Sequence, residues 1–179
     1  METELNVMDK KWKVILVPHR REKFVGELLS RLDLECYIPL IRKTKKYQRK
    51  IKFFDIPLIS NYVFVKITSA EEIKILQTPN VQGFLTFGKR KATVPENEIN
   101  ILRRICNEGV NVDFGNGTHV EVGQEVEIVS GNLTGIKGKI IQNCGPKQVL
   151  IELTSIGLSL RIHINNQQLN YLNRTFQVA

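Results

Sequence analysis

Seven cations fall within eleven residues of this chain: Arg42, Lys43, Lys45, Lys46, Arg49, Lys50 and Lys52, with no acid among them. The whole chain has a formal charge of +8, so the rest of it carries only +1. Charge this concentrated repels itself and calls for an anionic partner. Phosphate of a nucleic acid fits better than a uniformly basic fold. A smaller group, Arg20, Arg21 and Lys23, stands where a helix is expected to begin. Positive charge is unfavourable at a helix N-terminus, so these residues read either as solvated surface or as a phosphate contact. A third set is aromatic. In Tyr62-Val63-Phe64-Val65-Lys66-Ile67 the alternation of a strand puts Tyr62, Phe64 and Lys66 on one face and the aliphatic residues on the other. The aliphatic face is the natural core. The other is expected to leave at least one of its two rings partly exposed for a partner, whereas Trp12, Phe53, Phe54, Phe84 and Phe87 are expected in the core.

Catalysis has little to work with. Asp33, Asp55 and Asp113 are isolated, and His19, His119 and His163 are not spaced to partner a serine or cysteine. The chain reads as a non-enzyme without a cofactor. Cys36, Cys106 and Cys144 are odd in number and widely spaced, against both a disulfide framework and a zinc knuckle. A reducing, cytoplasmic setting fits, with no membrane partner: no apolar run approaches a span, and Met1-Glu2-Thr3-Glu4 does not open a secretory signal.

The elements that position these residues follow from periodicity. Trp12 to Val17 is strand-like. Phe24, Leu28 and Leu32, with Val25 and Leu29, repeat as an amphipathic helix over Arg20–Leu32. Strand-like Cys36–Ile41 and Ile51–Ile56 flank the lysine-rich segment, which makes a protruding hairpin. After the Tyr62 strand, Ser69-Ala70-Glu71-Glu72 has the capping-box spacing and predicts a short helix. Val81–Phe87 is a further strand, and Pro95 opens a third helix. This order predicts an α+β domain, a mainly antiparallel sheet with helices, over 11–106 after a leader of 1–10. Glycines and asparagines over 107–120 mark a linker. From 121 to 179 short strands with glycine turns predict a small, nearly neutral β-barrel.

Two stretches resemble one family, the NusG-like transcription elongation factors. Lys11-Trp12-Lys13-Val14, Asn61-Tyr62-Val63-Phe64-Val65, Val81-Gln82-Gly83-Phe84 and Phe87-Gly88 are similar to landmarks of that family's N-terminal (NGN) domain. The run from Val122-Gly123-Gln124 through Gly131-Asn132-Leu133-Thr134-Gly135 to Gly138 resembles the KOW motif of an SH3-like barrel. Pro18-His19-Arg20-Arg21-Glu22 and Leu76-Gln77-Thr78-Pro79-Asn80-Val81 are most similar to the UpxY-type antiterminators of capsular polysaccharide operons, relatives of RfaH. The resemblance implies a factor that binds transcribing RNA polymerase and suppresses pausing and termination. It implies that Leu16, Tyr62 and Phe64 dock the clamp helices of the largest polymerase subunit. With the charge pattern, it assigns Arg20, Arg21, Lys23, Arg42, Lys43, Lys45, Lys46, Arg49 and Lys50 to the non-template DNA strand. Leu133 stands in the KOW loop, where a ribosomal protein or termination factor is the implied partner. Ser60 replaces the proline common before the aromatic pair.

The competing reading is a stand-alone RNA-binding or ribosome-associated KOW protein, with Tyr62 and Phe64 stacking on bases as sheet aromatics do in an RRM. Against it, Ser60-Asn61 stands where that motif has its basic-glycine-aromatic opening.

Overall fold

A computed structural model describes residues 9–48, 50–108, 112–114, 122–141, 148–164 and 166–172. The chain divides into two compact units, Met1–Ile99 and Asn100–Ala179. In the first, β1 (Lys11–Leu16) is followed by α1 (Glu22–Arg31), β2 (Glu35–Tyr37), β3 (Leu40–Tyr47), β4 (Lys50–Pro57), β5 (Tyr62–Ile67) and α2 (Glu72–Leu76). Four two-residue strands then precede the last helix: β6 (Gly83–Phe84), β7 (Thr86–Phe87), β8 (Arg90–Lys91) and β9 (Thr93–Val94). The helix α3 (Glu96–Glu108) begins in this unit and continues into the second.

The main sheet runs β2-β5-β1-β6, with β9 also paired to β1, and every pairing is antiparallel. Its first face carries Ile15, Val17, Val63, Val65 and Ile67. These pack with Val25 and Leu29 of α1, Ile75 of α2, and Phe84. Alternation predicts this face correctly. It does not predict that the opposite face is also buried at its centre, where Trp12, Val14, Phe64 and Val94 are all sealed from water. Glu96, in the first turn of α3, is tied to this face. It accepts hydrogen bonds from Trp12 Nε1 at 2.7 Å and Lys66 Nζ at 3.2 Å. The Lys66 ammonium also lies 5.6 Å from the centre of the Trp12 ring. Lys66 thus shares a face with aromatics because it is paired there.

Local chemistry sets the ends of the elements. Helix α1 closes where Asp33 takes φ +55 and Leu34 N donates to Leu29 O at 3.1 Å, a left-handed C-terminal stop. The Val81–Phe87 stretch is not one strand. Leu85 N still bonds Val14 O at 2.8 Å, but Thr86 and Phe87 leave to pair with β8, which exposes Phe87. The expected box of Ser69 and Glu72 does not form, and the N-terminus of α2 has no side-chain cap. Glu71 accepts from Thr68 N at 2.8 Å, which frees Glu72 to bridge Lys13 and Lys91.

Burial pushes the Glu72 carboxyl up, but the hydrogen bonds and charges of Lys13 and Lys91 together outweigh it and hold its pKa below the ordinary 4.5. A depressed carboxyl stabilises the fold above its unfolded-state value and loses that contribution as pH falls through the folded one. The N-terminal unit is therefore expected to weaken as pH drops below about 4.5. Glu72→Gln should flatten that part of a plot of denaturation midpoint against pH. An unchanged slope in the variant would remove Glu72 from the account.

The second unit contains β10 (Val112–Phe114), β11 (Val122–Ile128), β12 (Lys137–Ile141), β13 (Gln148–Leu153), β14 (Leu158–His163), a 3-10 turn over Asn166–Gln168 and β15 (Leu169–Tyr171). The strands pair antiparallel in the order β10-β14-β13-β12-β11-β15. Val126, Ile128, Ile141, Val149, Ile151, Leu153, Leu160 and Ile162 form its interior. β10 lies inside the stretch read as linker, where it pairs with β14. The expected barrel is not what the described residues form. The sheet is open, and its edges are two three-residue strands, each about 10 Å of ladder, that pair inward only. No described helix is long and apolar enough to cross a membrane.

Candidate functional site

The basic segment forms a two-stranded ribbon, β3 against β4, that shares no ladder with the main sheet. Two strands of eight residues extend it by about 25 Å, and Leu58 N to Pro39 O at 2.7 Å ties its base. Its register sorts the side chains. Arg42↔Asp55, Thr44↔Phe53 and Lys46↔Ile51 share one face; Lys43↔Phe54, Lys45↔Lys52 and Tyr47↔Lys50 share the other. On the second face Lys43, Lys45, Lys50 and Lys52 are all exposed, with Phe54 among them. The Arg42 guanidinium is paired with Asp55 at 3.1 Å on the first. Arg49 lies outside the described residues.

Phe53 and Phe54 are not core, contrary to expectation: they are 65% and 41% exposed. The reason is geometric. Adjacent residues of a strand face opposite ways, and neither face of this ribbon has a layer over it. A signal was present in the sequence, because a strand flanked by seven cations offers no buried face for either ring. Lys52 belongs with the basic face as well, opposite Lys45. Lysines interleaved with an exposed ring suit a single-stranded nucleic acid, with charge tracking the phosphates and the ring stacking on a base.

Arg20, Arg21 and Lys23 are exposed at the turn into α1. Arg20 has φ +64, a left-handed conformation that disfavours a side chain, and Arg21 lies 5.8 Å from the centre of the Phe24 ring. Arg20→Gly relieves the backbone and removes the cation. It is expected to leave the melting temperature unchanged or raise it, by up to about 1 kcal/mol of stability, while weakening nucleic-acid binding. A variant that binds as tightly as the parent would make Arg20 a passive turn residue.

Among the expected protein-docking residues, the structure joins two and removes one. Leu16 and Tyr62 are direct cross-strand partners and both are half-buried. On the other side of Leu16 stands Gly83, where a Cβ would meet nothing within 4 Å, so the surface beside Leu16 is open. Phe64 is fully buried between Val14 and Tyr37 on the neighbouring strands, its ring centre 6.2 Å from that of Tyr37. It supports this edge from beneath and presents no surface. The turn at Ser60 needs no proline: Asn61 takes φ +69, donates its N–H to the buried Glu22 carboxylate at 2.8 Å, and donates Nδ2 to Val17 O at 3.0 Å. The start of α1 and the start of β5 are thereby joined.

In the second unit the Val122–Gly138 stretch folds as strand, loop and strand. Leu133 is 3% exposed and faces inward, so its side chain offers no contact surface. The Arg104 guanidinium brackets it, donating Nε to Asn132 O and Nη2 to Thr134 O, each at 2.6 Å. Among the described residues no cluster of three His, Cys, Asp or Glu is placed to hold a metal.

The family model described as transcription termination factor NusG matches residues 10–103, more than half of the chain. The chain belongs to the NusG family. Among curated protein sequences none matches it significantly. Of solved structures, the NusG of Thermotoga maritima, studied for its domain interaction, aligns with a TM-score of 0.55 at 18% identity, over 93% of this chain and 99% of that one. This likeness supports the fold. The MjSpt4:Spt5 complex aligns in conformation A (TM-score 0.31, 15% identity, 90% of this chain and 98% of that one) and in conformation B (0.32, 16%, 91% and 97%). TM-scores this low carry no weight. As a NusG-family protein the chain is a transcription factor, and the exposed basic ribbon and the Leu16–Tyr62 edge both lie within or beside its family-matched segment.

Proposed function

We propose that this NusG-family protein is a specialised factor that binds transcribing RNA polymerase and promotes processive elongation and antitermination, with a polysaccharide biosynthesis operon as its target. The observation that carries the reading is the ribbon face holding Lys43, Lys45, Lys50, Lys52 and Phe54, exposed and free of acids. Family membership supports the class of partner. In this reading Leu16 and Tyr62 receive the tips of the polymerase clamp helices, as an apolar patch receives a helix end, and Phe64 acts through them by holding the strand. The ribbon, with Arg20, Arg21 and Lys23, contacts the displaced non-template strand. The C-terminal unit, read as a KOW domain, recruits a further protein through the surface of the loop around Leu133. The wording of Pro18–Glu22 and Leu76–Val81 supports the operon class, and the setting is the cytoplasm.

The test uses the full chain and purified polymerase in a transcription readthrough assay, with single-stranded DNA binding measured in parallel. Replacing Lys43, Lys45, Lys50 and Lys52 with glutamine is expected to lower the slope of log affinity against log salt by about 3, from four lost phosphate contacts at roughly 0.7 each. Polymerase binding should survive. Tyr62→Ala should do the reverse. If readthrough and polymerase affinity are unchanged in a folded Tyr62→Ala protein, the docking assignment falls. If RNA is bound and polymerase is not, the ribosome-associated reading takes its place.

A further inference from the structure

Helix α1 carries two apolar stripes, and only one of them is used by the core. Val25, Gly26 and Leu29 are buried against the main sheet. Phe24, Leu28 and Leu32, at i, i+4 and i+8, run alongside on a different face. Leu28 is half-buried, while Phe24 and Leu32 are 42% and 49% exposed. The exposed stripe does not end at the helix. Between α1 and the end of α2 it becomes a groove of about 560 Å³, lined by Leu28, Leu32, Pro79 and the buried Thr78, with the exposed Arg31 and Lys74 beside them. An apolar helix stripe with no layer over it loses stabilisation that a covering side chain would supply.

We propose that this groove is a docking site for an acidic amphipathic helix of a partner protein. The apolar spacing on α1 suits a second helix laid across it, anchored by residues three and four apart. The charges select its flanks. Arg31 and Lys74 stand beside the groove, and neither is in an ion pair with a described residue; Lys74 acts on Glu71 only through its field. The acid on the exposed side of α1 is Glu27, one turn before Arg31. Carboxylates on the incoming helix would meet both cations. A second copy of this chain is disfavoured, since a two-fold contact through the groove would bring these cations against each other. Single-stranded nucleic acid is disfavoured too, because no residue lining the groove has a ring for a base; Phe24, the ring of the stripe, lies outside it. The site is separate from the ribbon and from the Leu16–Tyr62 edge, and the inference does not depend on either.

The experiment titrates the full chain with a synthetic helical peptide bearing leucines at i, i+4 and i+7 and glutamates on both flanks, followed by NMR shifts. A control peptide keeps the leucines and carries lysine flanks. The glutamate peptide is expected to bind with shifts confined to α1, α2 and Thr78–Pro79, at roughly tenfold higher affinity than the lysine peptide. Leu32→Gln, at a half-exposed position that leaves the fold intact, should weaken it by roughly tenfold. The double variant Arg31→Glu, Lys74→Glu should reverse the preference between the peptides. Equal affinity for both peptides, shifts elsewhere, or no binding at millimolar peptide would overturn the proposal. So would a concentration-dependent dimer that Leu32→Gln abolishes, which would give the groove to a second copy.

Discussion

Phe64→Ala is expected to cost the N-terminal unit about 3–5 kcal/mol, as emptying a fully buried aromatic site does. A domain of this size is stable by only about 5–15 kcal/mol, so the variant should melt far below the parent or fail to fold. The magnitude follows from position. Phe64 is inaccessible to water, flanked by Val14 on β1 and Tyr37 on β2, and the face it fills is closed by a helix start pinned through Glu96. Tyr62, two residues earlier on the same face, is only half-buried. Its alanine variant is expected to keep most of the stability and to lose partner affinity instead. Denaturation of the two variants, side by side with polymerase binding, separates the roles. A Phe64→Ala protein within about 1 kcal/mol of the parent would mean that the ring is not structural. A double alanine variant is uninformative about docking, because unfolding would mimic lost affinity.

The second large effect is in the other unit. A Cβ added at Gly138 would stand 2.5 Å from Val149 Cγ1 and 2.6 Å from the Leu150 carbonyl oxygen. A side chain can turn away, but Leu150 O belongs to the backbone of β13, which pairs with β12 at Lys139↔Leu150. Gly138→Ala must therefore push the two central strands apart, at about 3 kcal/mol or more. Gly135 makes the comparison. It has φ +84 but nothing within 4 Å of its Cβ position, so alanine there meets only backbone strain of about 1 kcal/mol. Chemical denaturation followed by a probe in the C-terminal unit should rank Gly138→Ala well below Gly135→Ala. The opposite order would mean that β12 and β13 separate easily.

These cases show what the amino-acid pattern conveys. Alternation through Tyr62–Ile67 identifies which residues share a face, and the pairing of Leu16 with Tyr62 bears out that geometry. It cannot say how many layers the sheet has, so it does not separate a buried Phe64 from an exposed Tyr62. Charge alone located the ribbon, because seven cations cannot be buried. Hydrophobicity misread Phe53 and Phe54, since a two-stranded ribbon gives a strand no inside. The helical period of α1 was legible, but Phe24, Leu28 and Leu32 and the neighbouring Val25 and Leu29 look alike in sequence. Only packing decides which stripe the sheet covers. Leu133 illustrates the same limit from the other side, a loop residue turned inward and framed by a distant arginine.

The hydrogen bond from Asn61 to Glu22 has a mechanical consequence. It ties the turn bearing Arg20 and Arg21 to the root of the strand bearing Tyr62, so the backbones that carry those side chains are held together at this point. A ligand held by one of them presents the other at high effective concentration to whatever lies alongside, and two weak contacts become one strong attachment. The ribbon is different. It shares no ladder with the main sheet, and the bond from Leu58 N to Pro39 O closes its base, so its two strands reach away from that body. In the proposed function the joined turn and strand set the pose, and the ribbon extends the reach.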